Sequence, residues 1–527
     1  MDTPTEAPSF SHLAKALFAS LEKTEARGYH KKIAVNPLVS RVASWYEKLR
    51  NAMDYREEEV ILRAAIERIL KRRIILGGNG KRVAEPLVRE LVWARYFPDE
   101  SLSEMLVGQI AKKVDLYLRF RDAVIEKKIL KENDANEWMY HLMSSDIEYM
   151  LNPQTERELA CHFMYQIMRN NVTITDDIEQ NRDVQVFIAV RKAFSKDDLA
   201  FLRFHLFAQF FGNGGLTDES FADVTTKFPA CYTEIQQQLL YPRKDRIYSY
   251  IKSKTAVFFI LDDALDIYKE GFHTLYAKKE EFEKAVFAIC EARYSRISGK
   301  VRRAIIRSVA FILLTKVFFA FSVEGTFETL VYGSVSWRSI LLNTGIPPLL
   351  MVLASFFLRT PKRDNSERIL AYLRTVLSED DPKIGNSLII KKIPDKRPFL
   401  DAIFTILWLS TYLLSFGAVV YVLTLLHFNP ISQGVFLFFL AIVSFLTYRI
   451  NLMSREYAVD AKQGMFWPIF DFFFMPIVRV GRHLTEGIAQ INILLFIFDF
   501  IIETPFKGIF GFFEQWFFFL HAKREEL

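Results

Sequence analysis

Cysteine is scarce in this sequence. Cys161, Cys231 and Cys290 stand far apart in a chain of 527 residues, and no CxxC or Cys/His grouping surrounds them. Neither a disulfide framework nor a zinc site is indicated. Three isolated thiols fit a reducing compartment. A basic stripe is also missing from the first half. Residues 1–300 hold 45 Lys/Arg against 44 Asp/Glu, and such a balanced, mixed-sign surface argues against a nucleic-acid partner. The opening segment "MDTPTEAPSFSHLAKALFASLEK" has early acids and interrupted apolar residues. It lacks the basic start and continuous apolar run of a signal peptide, so the N-terminus is expected in the cytoplasm. Strict apolar/polar alternation is rare and no fixed-period repeat is evident, which leaves little ground for a sheet or a solenoid. Isolated histidines such as His141 and His162 lack the spacing of a metal pair.

What is present in the first half is helical patterning. "SLSE" (Ser101–Glu104), "TERE" (Thr155–Glu158) and "SKDD" (Ser195–Asp198) each set a hydroxyl three residues before an acid. That is the spacing of a capping box. Runs such as "LAFLRFHLFAQFF" carry apolar residues at steps of three and four. "GGNG" (Gly77–Gly80) and "GNGG" (Gly212–Gly215) punctuate them. "GGNGKR" lacks the Ser/Thr that follows the lysine of a Walker A loop, so a helix–helix turn is expected there. The fold class expected is all-α, with a helical cytoplasmic domain over 1–300 and a subdomain break near 150–154.

The second half is dominated by apolar runs at 308–324, 339–358, 402–426 and 432–449. A helix of about 20 residues crosses the roughly 30 Å of a bilayer's hydrocarbon. "AIFTILWLSTYLLSFGAVVYVLTLL" carries no charge. Four transmembrane helices are therefore expected, two in 301–358 and two in 402–450. The segment 359–401 between the pairs holds ten Lys/Arg. The connection after the first run carries Glu324, Glu328 and only Arg338, and "HFNPISQG" has no Lys or Arg. This bias puts the basic linker inside and the short connections outside. "SLIIKKI" in the linker has the makings of a short strand.

Residues 451–527 are aromatic yet charged. At about 100° per residue, Asp499, Glu503 and Lys507 share one narrow stripe with Glu514. Asp471, Arg479, Arg482 and Glu486 do the same in the preceding segment. Such helices suit an interfacial or re-entrant position, with aromatics in the acyl boundary and the stripe in water. Pro468, Pro476 and Pro505 are expected to break these segments into pieces. Lys316 stands in the middle of the first apolar run, about 12 Å from either end, which strains the reach of a lysine to water. Unless it snorkels, the protein has to supply a carboxylate, with Asp499 or Glu503 as candidates, or water, or both.

One further cluster has chemical content. Asp262, Asp263 and Asp266 in "AVFFILDDALDIYKEG" group within one helical turn, where they would be candidate metal ligands for Mg²⁺ against a diphosphate. The spacing resembles the second aspartate motif of trans-prenyl diphosphate synthases. "GGNGKR" with Pro86 and "TDDIEQNRD" (Thr175–Asp183) resemble that family's glycine segment and first aspartate motif, although the intervals between the three motifs differ from the family's. The resemblance implies an isoprenoid diphosphate enzyme. It is confined to these three motifs, and the first aspartate site lacks the DDxxD spacing.

The reading of first choice is a multi-pass protein of the plasma membrane, acting without catalysis or cofactor as an anchored interaction or scaffolding component. Its partners would be the lipid bilayer and other membrane or cytoplasmic proteins, with no nucleic acid. A transporter or channel-like protein using intramembrane charges is the alternative, and the diphosphate enzyme is a third reading.

Overall fold

The computed structural model describes residues 10–21, 40–41, 43–44, 47, 58–153, 155–212, 215–333, 337–356, 358, 360–392, 398–460 and 467–489, with isolated positions between 512 and 520. These residues are predominantly helical, in keeping with the all-α expectation. They fall into two compact units. A helical unit comprises Phe10–Lys252 with Val376–Lys392, and an apolar-helix unit comprises Ser253–Thr375 with Ile393–Ile491. Residue 300, where the sequence suggests a boundary, lies inside a long helix, and the units part between Lys252 and Ser253.

The helical unit contains α1 (His12–Leu21), α2 (Ile61–Ile75), α3 (Gly80–Trp93), α4 (Glu104–Glu126), α5 (Glu132–Leu151), α6 (Thr155–Arg169), α7 (Glu179–Val190), α8 (Leu199–Phe210), α9 (Phe221–Leu239) and α10 (Lys244–Lys252). Side chains from α4, α5, α8 and α9 form its centre. Phe120 and Trp138 meet Phe228 edge-on at centroid distances of 5.1 and 5.9 Å, and Phe207 joins them. Such edge-to-face contacts add to what area burial supplies. Asn152 and Pro153, which follow α5, lie inside this one unit.

Local chemistry explains several helix starts. Ser103, two residues after the hydroxyl expected to cap, accepts from the Leu106 N–H at the start of α4. Asp198 accepts from the N–H groups of both Ala200 and Phe201 to start α8. A carboxylate satisfies two orphan donors more strongly than a hydroxyl, and Ser195 is occupied in a π-helical turn, Arg191–Ser195. "GGNGKR" is a helix–helix turn. Gly77 takes a left-handed φ of 78°, and Asn79 caps α3 by accepting from Arg82 N–H. The Gly80 N–H donates to Asp115 at 2.7 Å. A Cβ on Gly80 would lie 2.0 Å from the Ala111 carbonyl oxygen, so α3 crosses α4 in direct backbone contact.

The strand expected in "SLIIKKI" is β2 (Leu388–Ile390), and it pairs in parallel with β1 (Val172–Ile174) in the register Val172–Leu388. The segment 376–392 is thus stitched to the helical unit. Asn171 accepts from Ile384 N–H and donates to the Pro382 carbonyl, and the Leu377 carbonyl accepts from Ser11 N–H.

The apolar-helix unit contains α11 (Thr255–Tyr268), α12 (Phe272–Ala277), α13 (Lys279–Phe319), α14 (Thr326–Tyr332), α15 (Trp337–Ser355), most of α16 (Arg363–Ser378), α17 (Pro398–Leu425), α18 (Pro430–Ser454) and α19 (Trp467–Ala489). A π-helical turn, Ala320–Gly325, joins α13 to α14 without interrupting the helical path. The acids Glu324 and Glu328, expected in a connecting loop, are therefore helical. Among the described residues three helices are long and apolar enough to cross a membrane: Lys279–Val331, Pro398–Leu425 and Pro430–Ser454. The remaining run is α15, an apolar helix of 19 residues that carries Pro347 and Pro348.

Pro476 does not break its segment. Helix α19 runs through it, and the Ser415 hydroxyl donates at 2.6 Å to the Phe473 carbonyl in the turn that the proline disturbs. Neighbouring helices commonly re-satisfy such carbonyls in an apolar setting. A Cβ on Gly481 would lie 1.9 Å from the Ala441 carbonyl, which marks the crossing of α19 on α18.

The close crossing at Gly80 can be tested. Gly80→Ala should destabilise the chain by about 1–3 kcal/mol, the usual cost of forcing extra volume into a packed contact. Gly108→Ala, where a Cβ meets open space, should cause no loss. Thermal unfolding of the two variants makes the comparison.

Candidate functional site

The apolar-helix unit has a polar centre. Lys316, near the end of α13, is fully buried, and its Nζ lies 2.9 Å from Glu324 Oε1, also fully buried. Eight residues separate them. In a regular α-helix that spacing leaves two side chains about 80° apart. The π-helical turn inserts one extra residue per turn, so Glu324 takes up the angular place of a seventh residue and faces the same side as Lys316.

The other Glu324 oxygen, Oε2, accepts from Asn343 Nδ2 on α15 at 2.6 Å and from the Ser432 hydroxyl on α18 at 3.3 Å. Asn343 Nδ2 also reaches the Ser432 carbonyl at 3.2 Å. The Lys316 ammonium sits over the Phe439 ring, 4.9 Å from its centroid, which favours a cation. Asn429 extends the network. It caps α18 by accepting from Ser432 N–H and donates to Glu328 at 2.8 Å. One ion pair thereby joins α13, α15 and α18. Asn343 Oδ1 and Thr344 Oγ1 are buried with no hydrogen-bond partner among the described residues.

Lys316 is met inside the structure, as its position in the sequence demands, but by Glu324. Asp499, Glu503 and Lys507 lie outside the described residues. Asp471 lies on α19, and its side chain is likewise outside the described set. Sequence reasoning missed Glu324 because its place after the apolar run suggested a loop. A lysine and a glutamate on one uninterrupted helical stretch were the available signal; the π turn that aligns them has no sequence signature.

Asp262, Asp263 and Asp266 lie on α11. Arg293 of α13 grips Asp263 through Nε and Nη2, and its guanidinium lies 5.7 Å from the Tyr457 ring centroid. Among the described residues no group of three His, Cys, Asp or Glu is placed to hold a metal ion. A neighbouring lock holds the residues after α18. Buried Lys254 donates to Asp460, which also accepts from the Tyr372 hydroxyl at 2.7 Å.

The helical unit holds a second polar interior. Glu137, His141, Ser144 and Glu148 occupy one face of α5 at steps of four, three and four. They face Arg63 and Glu67 of α2 and Arg203 of α8. Arg63 donates to Glu67, Ser144 and Asp198. Arg203 donates to Glu137 and approaches His141 Nδ1 at 2.8 Å. Beside them Arg191 engages Asp197, Glu158 and His205. Burial pushes the His141 imidazole down to about 4 and the Asp197 carboxyl up to about 6. The Glu67 carboxyl is pulled down to about 2 by Lys71 and Arg63 in spite of burial. Glu148 differs from these. Its Oε2 is buried without a hydrogen-bond partner, and burial raises its carboxyl to about 8.

Comparison with protein-family models, curated proteins and solved structures gives no match in any of the three.

Both networks make predictions. Removing one member of a buried ion pair leaves the other uncompensated, at a cost of about 3–5 kcal/mol. Lys316→Met and Glu324→Gln should each lower thermal stability in detergent, while the double variant should recover a substantial part of the loss. Additive losses would contradict the pairing. For Glu148, the folded carboxyl keeps its proton up to about pH 8, whereas the unfolded one releases it near its ordinary value of 4.5. Stability contributed by this group therefore falls as pH rises through that window. Between pH 6 and 8 wild type should lose about 1–3 kcal/mol relative to Glu148→Gln, a comparison in which Asp197 is common to both proteins. Chemical denaturation of both proteins across that range reads the difference.

Proposed function

We propose that the chain is a multi-pass integral membrane protein that holds its helical unit at the membrane surface as an anchored interaction component. One observation carries the membrane part: the polarity of the apolar-helix unit is inverted. Leu314, Phe318, Phe321, Leu330, Leu341, Phe404, Leu409 and Leu413 are exposed, several by more than two thirds, while Lys316, Glu324 and Asn343 are fully buried. In water this arrangement would expose far more contiguous apolar surface than soluble proteins tolerate. In a bilayer the exposed side chains meet lipid, and the polar groups must find partners inside, as these do.

The Lys/Arg bias supports an orientation with the N-terminus and segment 359–401 in the cytoplasm. The reading retains the plasma membrane as the location. Support for an interaction role comes from the build of the helical unit, which has an extensive core of its own and is continuous in chain with the apolar helices. The alternative of transport would draw on Lys316 and Glu324. Those groups are engaged with each other, with Asn343 and with Ser432, which favours their use as a structural lock. The diphosphate-enzyme reading would need Asp263, which Arg293 occupies.

The test uses the full chain in intact cells or sealed vesicles. His427→Cys, at an exposed position between the ends of α17 and α18, should react with an impermeant thiol reagent from outside. Lys362→Cys, exposed at the opposite end, should react only after permeabilisation. The native cysteines are buried and should stay silent. Release of the protein by alkaline carbonate, or labelling of Lys362→Cys from outside, would overturn the topology. Lysine-directed crosslinking in the same membranes should yield adducts heavier than the chain through its helical unit, and their absence would remove the interaction role.

A further inference from the structure

The exposed face of α13 changes character at one point. Arg296, Lys300, Arg303 and Arg307 follow at steps of four, three and four, and all are exposed. Phe311, Leu314, Phe318 and Phe321 continue the pattern and are 55%, 72%, 67% and 64% exposed. Alternating steps of three and four keep residues on one helical face. The opposite face is buried through Ile297, Val301, Ile312 and Lys316. A single helical stripe is thus basic up to Arg307 and apolar from Phe311. No Asp or Glu occurs between Glu291 and Glu324.

A second helix marks the same level. Phe319 of α13 meets Phe439 of α18 at 5.5 Å. Arg307 lies twelve residues back along α13, about 18 Å, and Arg449 lies ten residues on along antiparallel α18, about 15 Å. Arg449 and its neighbour Tyr448 are both exposed. Aromatic and basic side chains at one depth are the usual anchors of a membrane–water boundary. From Arg296 to Arg307 the stripe covers about 16 Å, enough to pass from the headgroup layer to the charged surface beyond it.

We propose that this face of α13 binds anionic phospholipid, with the headgroup phosphate taken by Lys300, Arg303 and Arg307 and the acyl chains laid along Phe311, Leu314 and Phe318. Guanidinium groups match phosphate geometry bidentately, and each basic side chain near an anionic leaflet adds a favourable increment to lipid attraction. The proposal rests on the membrane reading above and adds to it the class of lipid selected.

The experiment places the full chain in phosphatidylcholine nanodiscs containing trace spin-labelled phosphatidylglycerol or spin-labelled phosphatidylcholine, and measures the motionally restricted fraction of each. Wild type should prefer phosphatidylglycerol about fivefold, and raised salt should reduce the preference. Lys300→Gln/Arg303→Gln/Arg307→Gln should bring it to within about twofold of parity. Arg303→Lys/Arg307→Lys, which keeps the charge, should retain most of it and controls for loss of fold. Equal restriction of the two lipids by wild type, or a preference undiminished in the triple variant, would overturn the proposal. Failure of wild type to incorporate, with neither lipid restricted, would contradict the membrane reading instead.

Discussion

Lys316 and Glu324 meet at 2.9 Å with no exposure to solvent, and the arrangement of the apolar helices follows from that contact. A cation in the middle of an apolar helix is costly unless it is paired or hydrated. The pairing requires an acid on the same face. The π-helical turn provides the rotation, and Glu324's second oxygen then requires donors of its own. Asn343 and Ser432 supply them from two other helices. A local demand at one residue thus becomes a constraint on where α15 and α18 stand against α13. Prolines are accommodated in the same unit: Pro347, Pro348 and Pro476 sit inside helices without ending them, and Ser415 donates into the turn at Pro476.

Helix α13 gives the account its mechanical element. Its 41 residues run unbroken from a charged stretch, where Arg293 grips Asp263 and Tyr294 accepts from Asn365, into the apolar stretch that ends at the π turn. The residues following α18 are fastened to the same charged end, through Lys254 and Asp460 and through Asn365 and the Tyr457 carbonyl.

Much of the architecture was legible from spacing alone. Helical periodicity in 199–211 corresponds to α8, the apolar runs to α13, α15, α17 and α18, and "SLIIKKI" to β2. That Lys316 must be paired or hydrated inside the protein was legible because a bare cation in hydrocarbon is costly. Its partner was not. Choosing Glu324 over distant acids requires knowing that the helix continues past the apolar run and gains a residue there, and backbone hydrogen bonding decides both. The polar face of α5 was missed for a related reason. Glu137, His141, Ser144 and Glu148 look like a solvated stripe until Arg63 and Arg203 are brought opposite by the tertiary packing. Pro476 misled because a proline's effect on a helix depends on whether a neighbour such as Ser415 can answer the disturbed turn. The aspartates of α11 carry the spacing of a diphosphate site, and the ion pair to Arg293 depends on a contact thirty residues away that spacing does not reveal.

The central claim is that the outward face of α13 meets hydrocarbon from Phe311 onward and water or headgroups before Arg307. Nitroxide labels placed singly at Arg303, Arg307, Phe311, Leu314 and Phe318 in the full chain, reconstituted in lipid, test it directly by collision with oxygen and with a water-soluble nickel complex. The account predicts nickel access at Arg303 and Arg307 that collapses by Phe311, with oxygen access rising through Leu314 and Phe318. Nickel access at Leu314 and Phe318 equal to that at Arg303 would contradict it.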